Sequence, residues 1–417
     1  LAGSRVRQGY GWWRPRVLPD VLDMPVDRTR RFTLPNAQDL SKDQDAALAL
    51  PLDGQHLIVG GPGTGKSVVA LLRVRRLAAE NANYRVLAYN KLLDQSSRHL
   101  FGDDLKAFTL ETWFRKLWKA LFKERVPLLQ PDRPGAYQAI NWQSVTDRLQ
   151  TDDLPPHSFA LPLLVIDEGQ DMPPAFYNAL ANLGFEHFYV VADQNQQIHP
   201  DRCSARRDIE NALDIAHADT KELLANYRNT RPIAQLALHF YPGDPASPKP
   251  DLPPPKPGAL TPELWRYGDG EAWTLEGIAE LILQTADRNP RKLVGIICPN
   301  NRIREKFVSA LNGMNPALDH DKPQIGTFVS GQQEALDFGQ GGITVINAQA
   351  CKGLEFDTAI LADIDEHLPR NNPDVLKKRF YVMVARARDQ IILLRTGNPM
   401  PAIDDLLPQD QAVLARK

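Results

Sequence analysis

The sequence has few cysteines and no long apolar run. Its three cysteines, at positions 203, 298 and 351, are odd in number and widely spaced, which argues against a disulfide framework or a zinc knuckle. A membrane-spanning helix needs about 18 or more consecutive apolar residues, and the sequence contains no such run. It also shows no signal peptide. We therefore expect a cytoplasmic protein that keeps its thiols reduced and has no membrane partner.

An excess of charge of one sign is also missing. Lys and Arg number 49 and Asp and Glu 51, a net charge of −2, which excludes a globally basic nucleic-acid coat but allows a local basic groove. The hydrophobic share of 43% and charged share of 24% are close to globular averages and exclude a disordered or collagen-like chain. A length of 417 residues predicts two or three domains.

Residues 1–35 are predicted to be an irregular N-terminal extension. Seven arginines occur there, interleaved with Tyr10, Trp12 and Trp13. Arginines can contact phosphates and aromatic rings can stack on bases, so the segment is a candidate nucleic-acid arm. The alternative is a lead-in segment whose tryptophans pack on the first domain.

From residue 57 onward, short apolar runs alternate with helical patterns. This rhythm is typical of parallel sheets flanked by helices. A segment with nine prolines, residues 242–262, interrupts it. We predict a first α/β domain over residues 36–220, with a small, mostly helical insertion at about 95–159. A second, similar domain is predicted over residues 221–417, with the proline-rich segment inside it. The apolar runs lie at 57–59, 86–88, 163–166, 188–191, 293–297, 343–346, 358–361 and 391–394.

The stretch Gly60–Ser67 matches the pattern GxxxxGK[ST]. It follows an apolar run and opens a helical pattern, which is the context expected of a phosphate-binding loop. Backbone N–H groups of such a loop close around phosphate oxygens at a helix N-terminus that favours anions. Lys66 is expected to reach the β and γ phosphates and Ser67 to bind Mg²⁺. The predicted nucleotide contacts of the loop are Gly61, Pro62, Gly63, Thr64, Gly65, Lys66, Ser67 and Val68.

Another apolar run, residues 163–166, ends in two carboxylates, Asp167 and Glu168. Asp167 suits Mg²⁺, which keeps several waters and takes one or two carboxylates. Glu168 suits a base that orients or deprotonates an attacking water. Because a guanine-selecting Asn/Thr-Lys-x-Asp motif is missing from the sequence, the predicted nucleotide is ATP rather than GTP.

The order of these motifs resembles the UvrD/Rep/PcrA-type superfamily 1 helicases over about residues 40–394. That resemblance implies two RecA-like parallel-sheet motor domains in tandem, the fold of P-loop NTPases, here in a minimal form with reduced insertions. Eight stretches match in order besides the phosphate loop: Leu40–Gln44, Val86–Lys91, Phe108–Trp113, Asp167–Asp171, Ala192–Ile198, Leu223–Arg228, Cys351–Asp357 and Tyr381–Arg388.

The resemblance also implies roles for single residues. Gln44 would read the edges of adenine, Tyr227 would pack on the base, and Glu355 would contact the ribose. Gln196, Arg228 and the arginine finger Arg386 would act at the γ-phosphate. The implied catalytic set is Lys66, Glu168, Gln196, Arg228 and Arg386. The implied nucleic-acid contacts are Asn90, Thr109, Trp113, His199 and Gln349. The alternative for Trp113 is a core position, which its helical spacing favours.

Several positions depart from the family pattern. His199 and Asp201 stand where aromatic residues are usual, and Gln349 and Ala385 replace the usual histidine and threonine. Glu111 also replaces a histidine. These changes leave the ATP-site residues in place but weaken the predicted grip on a nucleic-acid strand.

The sequence therefore predicts an ATP- and Mg²⁺-dependent translocase or helicase on single-stranded DNA, with 3′–5′ polarity by resemblance. One alternative is a nucleic-acid-stimulated ATPase switch that activates a protein partner without unwinding. Another alternative is a motor directed to RNA, because no residue excludes a 2′-hydroxyl.

Overall fold

The structure is a computed structural model of the whole chain. It describes residues 26–30, 35, 37–88, 107–131, 138–151, 160–196, 203–243, 248–268, 270–314, 322–328, 336–367, 373–396 and 401–417. Two predicted site residues, Asn90 and His199, lie outside these ranges, and only the backbone of Gln196 is described.

The first of two parallel sheets is built from residues 55–223. Its six strands have the order β3-β2-β4-β5-β1-β6, and every neighbouring pair is parallel. The central strands β4 and β5 are buried along their whole length, which explains their continuous apolar runs. The strands are β1 (Gln55–Gly60), β2 (Tyr84–Ala88), β3 (Ala107–Thr109), β4 (Leu163–Ile166), β5 (Phe188–Ala192) and β6 (Lys221–Leu223).

Helices cover both faces of this first sheet. The apolar residues of α2 join one buried cluster and those of α3, α4 and α5 join another, so the sheet lies between two helical layers. The helices are α1 (Lys42–Leu48), α2 (Lys66–Ala79), α3 (Leu110–Phe122), α4 (Trp142–Thr151), α5 (Pro174–Asn182) and α6 (Arg206–Ala212).

The second sheet has seven strands in the order β13-β7-β12-β11-β8-β10-β9, again with every pair parallel. Its strands are β7 (Glu263–Tyr267), β8 (Leu293–Cys298), β9 (Ile325–Thr327), β10 (Gly342–Asn347), β11 (Phe356–Leu361), β12 (Ala387–Thr396) and β13 (Ala415–Arg416). The accompanying helices are α7 (Arg231–His239), α8 (Leu275–Arg288), α9 (Asn301–Met314), α10 (Pro373–Val384) and α11 (Pro401–Asp404). The predicted α/β class with two parallel sheets is thereby confirmed.

The described part of the N-terminal extension, residues 26–30, packs on the second sheet. Thr29 forms an antiparallel bridge with Gln340, and the Arg30 guanidinium lies 3.2 Å from Asp357. The predicted packing of tryptophans on the first domain concerns Trp12 and Trp13, which lie outside the described residues.

Within the described ranges, the helices are too short or too polar to cross a lipid bilayer.

Candidate functional site

The glycine-rich loop joins the end of β1 to the N-terminus of α2. Gly63 and Gly65 have φ values of 80° and 84°, in the left-handed region that favours glycine. A Cβ on Gly63 would lie 2.4 Å from Asn226 Oδ1, and a Cβ on Gly65 would lie 2.3 Å from Gln44 Nε2. The loop therefore requires glycine for its backbone angles and for its close neighbours, and it ends at the N-terminus of a 14-residue helix.

Lys66, the first residue of α2, folds back over this loop. Its ammonium donates hydrogen bonds to the carbonyls of Gly60 (2.8 Å) and Gly61 (2.9 Å) and lies 3.6 Å from Asp193 Oδ2. Burial lowers the pKa of Lys66, and the carboxylates of Asp193 and Glu168 oppose that shift. The ammonium is thus held where phosphate oxygens would be expected to approach the loop.

The next residue, Ser67, hydrogen bonds to the carboxylate of Asp167, which follows β4. Burial and the neighbouring Glu168 raise the pKa of Asp167 to about 6. A hydroxyl beside a carboxylate is a donor set that suits Mg²⁺, because this ion takes few protein ligands and retains its waters. Among the described residues, this site included, no group of three or more His, Cys, Asp or Glu side chains could hold a metal ion.

Glu168 sits in a left-handed backbone conformation, with φ of 54°, unusual for a residue other than glycine. Gln170 Nε2 donates to Glu168 Oε2 at 2.6 Å, and Gln170 Oε1 accepts from the backbone N–H of Asp193 at 2.8 Å. Burial raises the pKa of Glu168, but the cations of Lys352, Lys66 and Arg386 outweigh it and lower the pKa below its usual value. Glu168 is therefore ionised at neutral pH.

A lysine from the second sheet reaches these carboxylates. Lys352 Nζ lies 2.6 Å from both carboxylate oxygens of Asp171 and 3.7 Å from Glu168 Oε2. Burial lowers the pKa of Lys352, but Asp171 and Glu168 outweigh it and raise the pKa. Lys352 and Asp171 were absent from the predicted site; their only sequence signal is membership of the Asp167–Asp171 and Cys351–Asp357 motifs.

Arg386, between α10 and β12, is buried. Its Nε donates to the Val382 carbonyl at 2.9 Å, and its guanidinium interacts electrostatically with Glu168 and Glu355. The structure thus brings four carboxylates and three cations from both sheets into one buried charge cluster. Its members are Lys66, Asp167, Glu168, Asp171, Asp193, Lys352 and Arg386.

The loop between β6 and α7 contacts both sides of this cluster. The backbone N–H of Tyr227 donates to the Gly63 carbonyl at 2.8 Å, and Asn229 Nδ2 donates to the Ala385 carbonyl at 3.3 Å. The guanidinium of Arg228 forms an ion pair with Glu355. The ring of Tyr227 is 54% exposed, so it is free to meet a ligand beside the glycine-rich loop.

Gln44 is placed against the same loop, on α1. Its Nε2 donates to the Thr64 carbonyl at 2.9 Å, and its Oε1 accepts from the Ser41 backbone N–H at 3.2 Å. The side chain is 5% exposed and forms part of a capping box with Ser41. In this conformation the amide predicted to read adenine is engaged with the protein itself.

Two other predicted loop contacts, Pro62 and Val68, differ in exposure. Pro62 is buried and borders a small cavity with Pro250 of the proline-rich segment, whereas Val68 is partly exposed. A Cβ on Gly61 would lie only 2.1 Å from Pro250 Cγ. The proline-rich segment therefore packs directly on the start of the loop.

Three of the predicted nucleic-acid contacts, Thr109, Trp113 and Gln349, lie within the described residues. The Thr109 hydroxyl donates to Thr112 Oγ1 at 2.8 Å at the start of α3, and Gln349 is exposed after β10. Trp113 is 7% exposed, and its ring packs edge-on against Phe185 at 5.7 Å. Helical spacing places Trp113 in the core of the first sheet, a position that does not fit the predicted contact with a strand.

Comparisons with known proteins add little to this geometry. No family model matches the chain, and no curated protein matches it. Among solved structures, the chain is similar to the C-terminal domain of a possible DNA helicase from Lactobacillus plantarum WCFS1. The identity is 17% and the TM-score 0.31, over 45% of this chain and 97% of that chain. A likeness at this TM-score carries no argument about function.

Proposed function

We propose that the chain is an ATP-dependent translocase or helicase acting on single-stranded nucleic acid, with ATP hydrolysed where the two sheets meet. The observation that carries the proposal is the buried charge cluster. Lys66 and Glu168 of the first sheet share it with Lys352 and Arg386 of the second. Such an arrangement suits phosphoryl transfer, which depends on positioning and on charge placed around the phosphates.

The residues of the first sheet would bind the triphosphate and prepare the water. The glycine-rich loop and Lys66 would hold the phosphates, while Ser67 and Asp167 would hold Mg²⁺, which neutralises phosphate charge when bound. Glu168 is ionised and fixed by Gln170, so it can accept a proton from water or orient it.

The second sheet would complete the site with positive charge. Arg386 and Arg228 would stabilise the charge that develops on the γ-phosphate, with Gln196 as sensor. Tyr227 and Glu355 would contact the nucleoside. If residues 36–220 and 221–417 form two RecA-like motor domains, a site shared between them would close on binding and open on release. That cycle would convert hydrolysis into movement along a strand.

The proposed substrate is inferred from the order of the sequence motifs alone. By that resemblance we propose single-stranded DNA as the track and 3′–5′ as the direction. An RNA track is the alternative substrate.

The test is ATP turnover measured without nucleic acid and with single-stranded DNA, duplex DNA and RNA. One buffer must be used throughout, because salt alone changes affinity for nucleic acids strongly. We expect strong stimulation by single-stranded DNA and loss of turnover in Lys66→Ala. Lys292→Ala is the matched control, because this exposed lysine pairs with Asp389 on the surface. A chain that hydrolyses no ATP, either alone or with any of these nucleic acids, would overturn the proposal.

The burial of Trp113 favours a second candidate function. With this ring in the core, the grip on a strand is weaker than the motif order implies, which suits an ATPase switch that activates a protein partner. A strand-displacement assay on tailed duplexes, with and without co-purifying proteins, separates the two functions. Turnover without displacement in both arms would favour the switch.

A further inference from the structure

The ion pair of Lys352 and Asp171 is a close, buried contact between the two sheets. Both carboxylate oxygens of Asp171 lie 2.6 Å from Lys352 Nζ, and the side chains are 5% and 7% exposed. Solvent screens such a pair little, unlike the ion pairs on the protein surface. Its loss would leave a buried charge without its partner, which proteins tolerate poorly.

The carboxylate of Asp171 is tied to Glu168 through a short 3₁₀ turn. The backbone N–H of Asp171 donates to the Glu168 carbonyl at 2.9 Å, and Gln170 between them bonds the Glu168 carboxylate. A contact that holds Asp171 in place therefore also helps to hold the orientation of Glu168. Lys352 adds a direct attraction, because its ammonium is 3.7 Å from Glu168 Oε2.

On the other side, Lys352 belongs to a compact turn of the second sheet. The backbone N–H of Leu354 donates to the Cys351 carbonyl at 3.1 Å, and Gly353 has a left-handed φ of 78°. The Leu354 carbonyl accepts from the Arg386 guanidinium at 3.5 Å, and Glu355 pairs with Arg228. The turn thus places Lys352 beside the carboxylates, and the same turn contacts both arginines proposed to act on the phosphates, Arg228 and Arg386.

We infer that Lys352 is a positioning residue: from the second sheet it fixes Asp171 and, through it, the proposed base Glu168, so that water is activated only while the two sheets are in contact. This inference rests on the proposed ATPase function. It assigns Lys352 a role distinct from that of Arg386, since Lys352 acts on the base and Arg386 on the phosphates.

The test uses Lys352→Gln in the full chain, because glutamine keeps a hydrogen-bond donor and much of the volume but loses the charge. The matched control is Lys306→Gln. Lys306 pairs with the buried Asp363 at 2.9 Å, but both residues belong to the second sheet. The kcat and KM for ATP are measured with single-stranded DNA at one pH, and folding is followed by circular dichroism.

We expect kcat to fall about tenfold or more in Lys352→Gln, with little change in KM. Lys352→Arg, which keeps the charge, should restore most of the lost kcat. Lys306→Gln should leave both kcat and KM unchanged.

If Lys352→Gln does not fold, the pair Lys352→Gln with Asp171→Asn removes both charges and carries the same kinetic expectation. A folded variant with unchanged kcat, or with a lower kcat that Lys352→Arg fails to restore, would overturn the inference and leave the proposed function standing. A parent chain without turnover, or Glu168→Gln with full turnover, would overturn the proposed function and this inference with it.

Discussion

The two sheets contribute opposite charges to the place where they meet. The first sheet supplies four buried carboxylates after β4 and β5, with Lys66 as its one cation in the cluster, whereas the second supplies Lys352 and Arg386. Buried charges are costly unless they are paired. If the two sheets separated, the carboxylates of the first and the cations of the second would therefore lose their partners.

A second lysine–aspartate pair differs from that of Lys352 and Asp171 in which parts of the molecule it joins. Lys306 and Asp363 also form a close pair with a buried carboxylate, but they lie within the second sheet and Lys306 also bonds the hydroxyl of Tyr267. That pair supports one local structure. The pair of Lys352 and Asp171 instead joins segments 181 positions apart in the sequence, and it depends on the contact between the sheets.

The largest predicted effect removes the second sheet's arginine from the cluster. Arg386→Ala should lower ATP turnover by about 10³-fold or more, while binding of a fluorescent ATP analogue is retained, because the loop and Lys66 remain. Steady-state hydrolysis and a binding titration measure both quantities. Arg379→Ala, in α10 seven residues earlier, serves as the control and should keep turnover. Full turnover in Arg386→Ala would show that Arg386 adds nothing to the chemistry.

The next effect removes Glu168, the proposed base of the first sheet. Glu168→Gln should lower kcat by about 10² to 10⁴-fold, because the amide cannot accept the proton while the bond from Gln170 can persist. The exposed Glu186→Gln is the control. A Glu168→Gln variant as fast as the parent chain would remove Glu168 from the mechanism and move attention to another carboxylate of the cluster.

A smaller effect concerns how a carboxylate of the first sheet, Asp167, changes the stability of the folded protein. The pKa of Asp167 is raised by burial to about 6 in the folded chain, so the folded state binds this proton more tightly than the unfolded state. Asp167 therefore does not reduce the free energy of unfolding below about pH 4, where it is protonated in both states. As the pH rises from 4 to above 6, its ionisation lowers the free energy of unfolding. Asp167→Asn should raise the free energy of unfolding by about 1–3 kcal/mol at pH 7.5 and hardly at all at pH 4.

Denaturant unfolding without nucleotide or Mg²⁺ at the two pH values measures this difference. An equal gain at both values would mean that the titration of Asp167 is not its cause.

The smallest predicted effect comes from a substitution in the loop between β6 and α7. Tyr227→Leu removes an exposed ring whose packing on a base should contribute modestly, as aromatic contacts do. The KM for ATP should rise about two- to tenfold with kcat unchanged, measured in the same turnover assay. Leu260→Ala is the control, since Leu260 is also half-exposed but lies in the proline-rich segment. A fall in kcat without a change in KM would place Tyr227 in the chemistry instead.

Sequence patterns predicted the central strands well, for a physical reason. Strands β1, β2, β4, β5, β8, β10, β11 and β12 each contain one of the predicted apolar runs, since strands buried on both faces need continuous apolar residues. The four edge strands β3, β6, β9 and β13 and the internal strand β7 were missed. The edge strands have only two or three residues each, so they carry no such run.

The candidate site was predictable only in part. The glycine pattern located the loop and the helix after it, because the backbone angles themselves demand those residues. The contact of Lys352 with Asp171 was not predictable, since nothing in either residue's neighbourhood encodes a partner so distant in sequence. The resemblance assigned Trp113 to a strand contact, whereas its helical spacing favoured a core position, and the structure places it in the core.

The most direct test of a shared site is a crystal structure with a non-hydrolysable ATP analogue and Mg²⁺. The account predicts that the Lys66 ammonium and the Arg386 guanidinium contact the same phosphate chain, with Lys352 still on Asp171. It would be contradicted by an analogue bound at the glycine-rich loop while the Arg386 guanidinium points away from the phosphates.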